Sequence, residues 1–131
     1  MLAKIEKVSL WKNDERGKIY QFSARESGFF LVLYRRKDTT SGDHYHKGTI
    51  KSKSPEIFYF ISGQAELYLK NLNSGEEEKH LIEPGIKIEI PPYVYHSFLA
   101  LTDIVLIELN VSKEDFDNYE SDTVKINLHK K

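Results

Sequence analysis

Short stretches rich in Val, Ile, Phe and Tyr recur along this chain at intervals of about ten residues, separated by glycine and proline. This spacing is typical of a β-sandwich or barrel rather than of alternating strands and helices. Within one stretch, Ile86, Ile88 and Ile90 share one face of an extended strand, whereas Lys87 and Glu89 lie on the other. The pattern predicts an all-β fold.

The 131 residues and their hydrophobic fraction of 40% fit one domain, residues 1–131. The predicted strands are 4–11, 18–23, 29–36, 57–62, 65–71, 79–82, 86–90, 95–101 and 104–111. Turn residues separate several of them, at Ser62-Gly63-Gln64, Asn73-Ser74-Gly75 and Glu83-Pro84-Gly85. Ser112, with Asp115 three positions later, is typical of a helix N-cap and predicts a short C-terminal helical turn through Tyr119.

The composition excludes several classes of protein. Nineteen basic against twenty acidic residues leave a formal charge of -1, so no excess of positive charge indicates nucleic acid or an anionic membrane as a partner. Because the chain has no cysteine, it has no disulfide, no thiolate zinc site and no cysteine nucleophile. No apolar run approaches the roughly 20 residues of a membrane span, and the N-terminus lacks a signal peptide, so we expect a cytoplasmic protein.

Three of the five histidines lie in contexts that favour metal binding. His44 and His46 are two residues apart, so on a strand they project from the same face. Glu56 begins the next strand and, being two residues before Phe58, projects from the same face as that residue. A carboxylate on an apolar face needs a partner such as a cation. His96 opens a later strand. Three imidazoles and one carboxylate suit Zn, Fe, Mn, Ni or Cu better than Ca or Mg.

The other two histidines, His80 and His129, lie in polar contexts without partners. We interpret both as ordinary surface residues.

The order of these residues resembles the two motifs of the cupin superfamily. In the first motif a His-x-His pair precedes a glutamate and, seven residues later, a glycine; the second runs from glycine through proline to histidine. The matching residues are His44, His46, Glu56 and Gly63, then Gly85, Pro91 and His96. The resemblance covers residues 29–109 and implies a single double-stranded β-helix, or jelly-roll, barrel with His44, His46, Glu56 and His96 as metal ligands.

The chain departs from the cupin motifs at three places. Residues 47–55 lengthen the gap before Glu56, Tyr93 replaces the glycine that follows the proline, and Ala100 replaces a polar residue.

The runs 42–47 and 89–98 look most like cupins of nucleotide-sugar and surface-polysaccharide pathways, which include 3,4-ketoisomerases and 3,5-epimerases. The resemblance implies proton transfer at a carbon next to a sugar ketone. A bound metal would act as Lewis acid on the ketone oxygen, with Tyr93 and Tyr95 at the cavity mouth to move protons. Without a metal, His44 and His46 would serve directly as base and acid.

Basic residues near the histidine pair are candidates for holding a diphosphate. We assign this role to Arg35, provided that its strand points it into the barrel, and to Lys47. Lys51 and Lys53 are interpreted as a solvated loop.

Two other functions stay open. One is a non-catalytic module that binds a sugar or small ligand and carries a structural metal. The other is an iron-dependent dioxygenase. Whichever function holds, the strands around 5–11 and 19–22 would have exposed edges that pairing with a neighbouring chain would cover, which predicts a homodimer.

Overall fold

The computed structural model describes residues 1–25, 27–126 and 128. These residues form twelve strands, a 3-10 turn and one α-helix. The strands are β1 (Lys4–Lys7), β2 (Ser9–Asp14), β3 (Gly17–Gln21), β4 (Phe29–Arg35), β5 (Thr40–His46), β6 (Glu56–Ser62), β7 (Ala65–Asn71), β8 (Glu77–Ile82), β9 (Ile86–Ile90), β10 (Val94–Ala100), β11 (Ile104–Val111) and β12 (Thr123–Lys125). The 3-10 turn is Lys51–Lys53 and the helix, α1, is Lys113–Asp122. No helix within the described ranges is long and apolar enough to cross a membrane.

The strands form two five-stranded antiparallel sheets and a separate two-stranded ribbon. The first sheet has the order β1-β9-β6-β11-β4, the second has the order β12-β5-β10-β7-β8, and β2 pairs with β3. From β4 to β12 successive strands alternate between the two sheets, except that β7 and β8 form a hairpin in the second sheet. Residues far apart in sequence therefore face one another across the barrel. The structure confirms the all-β prediction and the cupin barrel that the sequence motifs imply.

Apolar side chains from both sheets fill the space between them. Phe58 of the first sheet and Phe98 of the second have ring centroids 5.4 Å apart in an edge-to-face arrangement, which aromatic pairs favour. The buried cluster also includes Phe60, Leu67, Leu69, Ile82, Ile88, Ile90, Ile104 and Leu106. Burial of these side chains is the main source of the barrel's stability, because the chain has no disulfide.

Strand β9 follows the predicted alternation on one face and departs from it on the other. Ile88 and Ile90 are buried in the core as expected. Lys87, on the opposite face, is also buried, because its Nζ donates to the carbonyl oxygen of Ser23 at 3.0 Å. The N-terminal segment therefore covers a face that the sequence alone presents as polar and solvated.

The predicted elements differ from the observed ones at four places. One is β5, which carries His44 and His46 but was not among the predicted strands. The predicted strand 4–11 is divided into β1 and β2, and β12 was not predicted, since three residues carry too little periodicity to recognise. The helix extends beyond Tyr119 to Asp122, and the Ser112 hydroxyl accepts a hydrogen bond from the backbone N–H of Asp115 at 3.3 Å, as expected of an N-cap.

The turn at Gly63 requires glycine. Its φ is 83°, and a Cβ there would lie 2.2 Å from the carbonyl oxygen of Asp103. The predicted turn thus also brings the ends of β6 and β11 into close contact.

Candidate functional site

The four residues singled out by the sequence motifs converge inside the barrel. His44 and His46 project from β5 and His96 from β10, all in the second sheet, while Glu56 faces them from the start of β6 in the first. One potential ligand atom from each residue lies within 4.8 Å of those of the other three. Strand pairing places His96 directly opposite His44. The structure therefore brings the predicted quartet together.

Glu56 is at the centre of this cluster. Its Oε1 lies 3.2 Å from Nε2 of His46 and 3.2 Å from Nε2 of His96. The His44 ring is 4.6 Å from the His46 ring and 4.7 Å from the His96 ring, measured between centroids. The carboxylate and the three imidazoles thus point at one small volume.

A glycine makes room for the cluster. Gly42 has a φ of 89°, and a Cβ at this position would lie 2.9 Å from the carbonyl oxygen of His96 and 3.2 Å from its ring carbon Cδ2. The pairing of β10 with β5 also shifts register between His96 and Ser97. This irregularity lets His96 sit against the backbone of β5.

The imidazoles of His46 and His96 are oriented by contacts on their other ring nitrogen. The Nδ1 of His46 lies 3.1 Å from the hydroxyl of Thr123 and 3.6 Å from Oδ2 of Asp122. The Nδ1 of His96 lies 3.4 Å from the carbonyl oxygen of Val94. Such contacts fix the ring orientation and direct Nε2 of each histidine toward the centre.

The electrostatics of the cluster favour a neutral His44 and an ionised Glu56. Burial, together with the neighbouring His96 and His46, lowers the pKa of His44 to about 3. Burial alone would raise the pKa of Glu56, but hydrogen bonds from His46 and His96 and the charge of Lys53 hold it well below its ordinary value. Neutral imidazole and carboxylate are the forms that bind metals.

The quartet fits a divalent transition metal. Ligand atoms bound about 2.1 Å from a single ion lie about 3 to 4 Å from one another, so the observed 4.8 Å limit requires only small side-chain movements. Three nitrogens and one oxygen form a donor set of intermediate softness. All four side chains are largely shielded from solvent, so one buried carboxylate faces three buried imidazole rings.

Three of the four residues of the quartet line a cavity of about 210 Å³. His44, Glu56 and His96 contribute to its lining, and Phe58 and Phe98 supply aromatic surface. The remaining lining residues are Leu33, Arg35, Ser41, Gly42, Ile104, Leu106, Glu108 and Lys125. A small ligand in this cavity would contact polar groups and aromatic faces together.

Two basic residues line the cavity, and only one of them was predicted. Arg35 lines it as the sequence analysis required, and its Nε donates to the hydroxyl of Ser41 at 2.9 Å. Lys125, which is paired with His44 across β12 and β5, was not predicted. Lys47 is exposed and is not among the residues that line the cavity, so its assignment to the diphosphate is not supported by its position.

The interpretation of Lys53 as a solvated loop residue is wrong. Its side chain is only 3% exposed, and its Nζ lies 2.8 Å from Oε2 of Glu56. Lys51, in the same turn, is exposed as expected. Sequence reasoning failed here because two of the three acidic side chains around Lys53, Glu108 and Asp115, come from β11 and α1, which no local pattern could connect to residue 53.

The two tyrosines predicted at the cavity mouth lie elsewhere. Tyr93 is 53% exposed with its ring 5.8 Å from that of Tyr45, and its φ of 64° falls in the left-handed region that glycine favours. Tyr95 is fully buried on the face opposite His96, and its hydroxyl donates to Oδ1 of Asp43 at 3.2 Å. Burial and the Asp43 charge raise the pKa of Tyr95 to about 12. Neither tyrosine lines the cavity.

Of the two remaining histidines, His80 lies on β8 and is not part of the quartet; its Nε2 is 2.9 Å from Oε1 of Glu78. His129 lies outside the described residues, so the interpretation of it as a surface residue stays a prediction.

Besides Lys125, three further residues around the site were missed or misinterpreted by the sequence analysis: Lys53, Glu108 and Asp122. Glu108 lines the cavity within the apolar strand β11, and a lone carboxylate in such a strand is a signal that could have been used. Asp122 is fully buried and accepts hydrogen bonds from the backbone N–H and the hydroxyl of Thr49, both at 2.6 Å. No local pattern in the sequence distinguishes it from the exposed acids of the same helix.

The sequence profile of one family, described as the polysaccharide biosynthesis C-terminal domain, matches residues 12–124. The chain belongs to this family. No curated protein sequence matches it. The membership agrees with the likeness to polysaccharide-pathway cupins that the motifs indicate.

Several solved structures have the same fold as this chain. A 3,4-ketoisomerase from Helicobacter canadensis has a TM-score of 0.74 at 18% identity, with 96% of this chain and 92% of that chain covered. The 3,4-ketoisomerase QdtA from Thermoanaerobacterium thermosaccharolyticum in complex with TDP has a TM-score of 0.71 at 20% identity, with coverages of 95% and 88%. The 3'-monoepimerase ChmJ from Streptomyces bikiniensis in complex with dTDP-quinovose has a TM-score of 0.75 at 15% identity, with coverages of 97% and 70%. At these identities the likeness establishes the cupin fold.

Proposed function

We propose that this chain binds a divalent transition metal through His44, His46, Glu56 and His96 and catalyses isomerisation or epimerisation of a sugar nucleotide. The observation that carries the proposal is the convergence of these four side chains beside a cavity that three of them line together with Arg35. The reaction is a proton transfer at a carbon next to a ketone.

The metal would be Zn, Mn, Fe or Ni, because three imidazoles and one carboxylate suit these ions. When bound, it supplies Lewis acidity for the ketone oxygen of the substrate, which stabilises the negative charge that develops on that oxygen. The chain's own residues prepare this site in advance. Thr123 and Asp122 orient His46, and the low pKa of His44 keeps its ring neutral at pH 7.

The cavity lining fits a small charged sugar derivative. Phe58 and Phe98 offer apolar surface to a deoxy-sugar ring, while Arg35 and Lys125 offer positive charge to a diphosphate. Because Tyr93 and Tyr95 lie outside the cavity, the proposal gives them no part in proton transfer. The nucleotide ligands named in the QdtA and ChmJ complexes support the same class of substrate.

We assign a second copy of this chain as the protein partner. Every residue of the ribbon β2–β3 is exposed, Trp11 by 56%, although an isolated two-stranded hairpin is only marginally stable in water. The edge strand β4 exposes Phe30, Val32 and Tyr34 on one face. Within the described residues, one chain has both an exposed apolar ribbon and an apolar edge strand, so two copies would cover each other's surfaces.

Light scattering of the purified protein tests the partner. We expect a dimer, and we expect Trp11→Lys to reduce it to monomers, whereas Lys79→Glu, exposed on β8 outside the ribbon and β4, should leave it dimeric. A monomeric wild type would contradict the assignment.

Deuterium exchange tests the reaction. We expect the metal-loaded protein to incorporate deuterium from D₂O next to the ketone of TDP-4-keto-6-deoxyglucose, a ligand named for one QdtA complex. Proton magnetic resonance follows the loss of the proton signal at each carbon, and His44→Ala should abolish this exchange.

Exchange that persists after complete metal removal would instead assign His44 and His46 as direct base and acid. Binding without exchange would indicate a non-catalytic module, and turnover that requires O₂ an oxygenase.

A further inference from the structure

Lys53 is a buried cation surrounded by carboxylates. Its Nζ lies 2.8 Å from Oε2 of Glu56, 2.5 Å from Oε2 of Glu108 and 2.9 Å from Oδ2 of Asp115. Burial would lower the pKa of Lys53, but the charges of Glu56 and Glu108 raise it above its ordinary value. The three oxygen atoms around Nζ match the three N–H donors of an ammonium ion, one for each carboxyl group.

The two oxygens of the Glu56 carboxylate contact different side chains. Oε2 accepts from Lys53, whereas Oε1 faces Nε2 of His46 and Nε2 of His96 at 3.2 Å each. Because an ammonium ion holds Oε2, the carboxylate cannot rotate to present both oxygens to the histidines without breaking a buried charge-assisted hydrogen bond.

Lys53 is itself held in place by the segment that lengthens the first cupin motif. Residues 47–55 end in the 3-10 turn Lys51–Lys53, whose first flanking residue, Ile50, is buried. The hydroxyl of Ser52 lies 3.2 Å from that of Ser112, at the start of α1. Asp115 then contacts Lys53 from the first turn of the same helix. The longer spacing thus inserts a cation behind Glu56 rather than displacing this residue from the site.

We propose that Lys53 is a positioning residue that holds Glu56 through Oε2, so that a single oxygen, Oε1, is presented to the metal. The inference rests on the proposed metal centre. A carboxylate restricted to one oxygen leaves a coordination position for substrate that a two-oxygen ligand would fill. Because Asp115 of α1 contacts Lys53, the C-terminal helix helps to hold Lys53 against Glu56.

Cobalt(II) binding tests the inference, because visible absorption of Co²⁺ reports the number of its ligands. The variant Lys53→Met/Asp115→Asn removes one positive and one negative charge, so the net charge of the buried cluster is unchanged. We expect it to bind Co²⁺ about 10-fold or more weakly, with weaker visible absorption as a second carboxylate oxygen enters. Lys51→Met, two residues away in the same turn and exposed, should match wild type in both measurements.

Chemical rescue separates positioning from general structure. Because the chain contains no cysteine, Lys53→Cys supplies the sole thiol, which can be alkylated with bromoethylamine in denaturant and refolded. The product regains an ammonium group at nearly the original length. We expect it to recover the wild-type Co²⁺ spectrum, whereas the unalkylated variant does not.

The outcomes distinguish this inference from the proposed function. Wild type that binds no Co²⁺ would overturn the metal centre itself. Wild type that binds Co²⁺, together with a folded Lys53→Met/Asp115→Asn protein of identical affinity and spectrum, would overturn only the role of Lys53. If the double variant does not fold, Asp115→Asn alone carries the test. An altered spectrum then supports the inference, and an unchanged one overturns it.

Discussion

His44 of β5 lies directly opposite His96 of β10, and their ring centroids are 4.7 Å apart. This pairing brings the two cupin motifs together in space, although 51 residues lie between His44 and His96 along the chain. Glu56 approaches from the other sheet, so the centre depends on the packing of both sheets of the barrel.

Removal of a single ligand should empty the centre. We expect His44→Ala, His46→Ala and His96→Ala each to lose most of the bound metal, because three remaining donors hold an ion much less tightly than four. Elemental analysis of protein purified without chelator measures the content per chain. His80→Ala, which alters a histidine paired with Glu78 on β8, should retain the wild-type content. Equal metal content in all of these proteins would contradict the assignment.

Loss of the Asp122 charge should weaken the centre without removing a ligand. In Asp122→Asn, the oxygen that accepts from Thr49 is kept, while the group beside Nδ1 of His46 becomes an uncharged amide. We expect metal affinity to fall by about 10- to 100-fold. Competition with a chromophoric chelator measures this change. The matched control is Asp117→Asn, which changes an exposed residue of the same helix. If both variants lost metal affinity equally, the contact of Asp122 with His46 would not account for the loss.

A methyl group at Gly42 should disturb both stability and the centre. The added Cβ would lie 2.9 Å from the His96 carbonyl oxygen, and the positive φ adds its own cost. Gly75→Ala shares a positive φ but meets nothing within 4 Å, so it should lose only about 1–2 kcal/mol. We expect Gly42→Ala to lose more than this in urea unfolding and also to bind metal more weakly. Equal losses in the two variants would show that the contact with His96 does not matter.

Arg35 and Lys47 should differ in their effect on nucleotide binding. Arg35 lines the cavity and is held by Ser41, whereas Lys47 is exposed outside the lining. Since a charge-assisted hydrogen bond contributes about 1.5–3 kcal/mol, we expect Arg35→Leu to weaken TDP binding by about 10-fold or more. Titration calorimetry with TDP measures the affinity. Lys47→Leu should bind as wild type does, and a similar loss there would reassign the phosphate contact.

The stability of the metal-free protein should fall as the pH rises toward 9. Burial and the charge of Glu56 raise the pKa of Glu108 from 4.5 to about 9, against the opposing effect of Lys53. Between these values the folded chain retains a proton that the unfolded chain has lost, so its free energy of unfolding decreases with rising pH. In Glu108→Gln this dependence should be smaller, as measured by urea unfolding from pH 5 to about pH 9. Glu114→Gln, exposed on α1, should follow wild type; parallel profiles for all three proteins would contradict the prediction.

The sequence by itself determined the barrel and its four central side chains. Alternation at Ile86, Ile88 and Ile90 and the turn at Gly63 are local signals, because period-two geometry and a positive φ are properties of neighbouring residues. The motif spacing also identified His44 and His96, since strands of this fold bring those positions to one face.

Only the tertiary structure decided which other residues surround the centre. Lys53 was interpreted as solvated, and Tyr95 as lining the mouth, because burial and facing depend on strands and a helix that are distant in sequence. The contacts of Lys53 with Glu108 and Asp115 and of Asp122 with Thr49 span 55 to 73 residues along the chain. A charged side chain becomes a buried partner only when packing removes water from it, and that removal is a property of the whole fold.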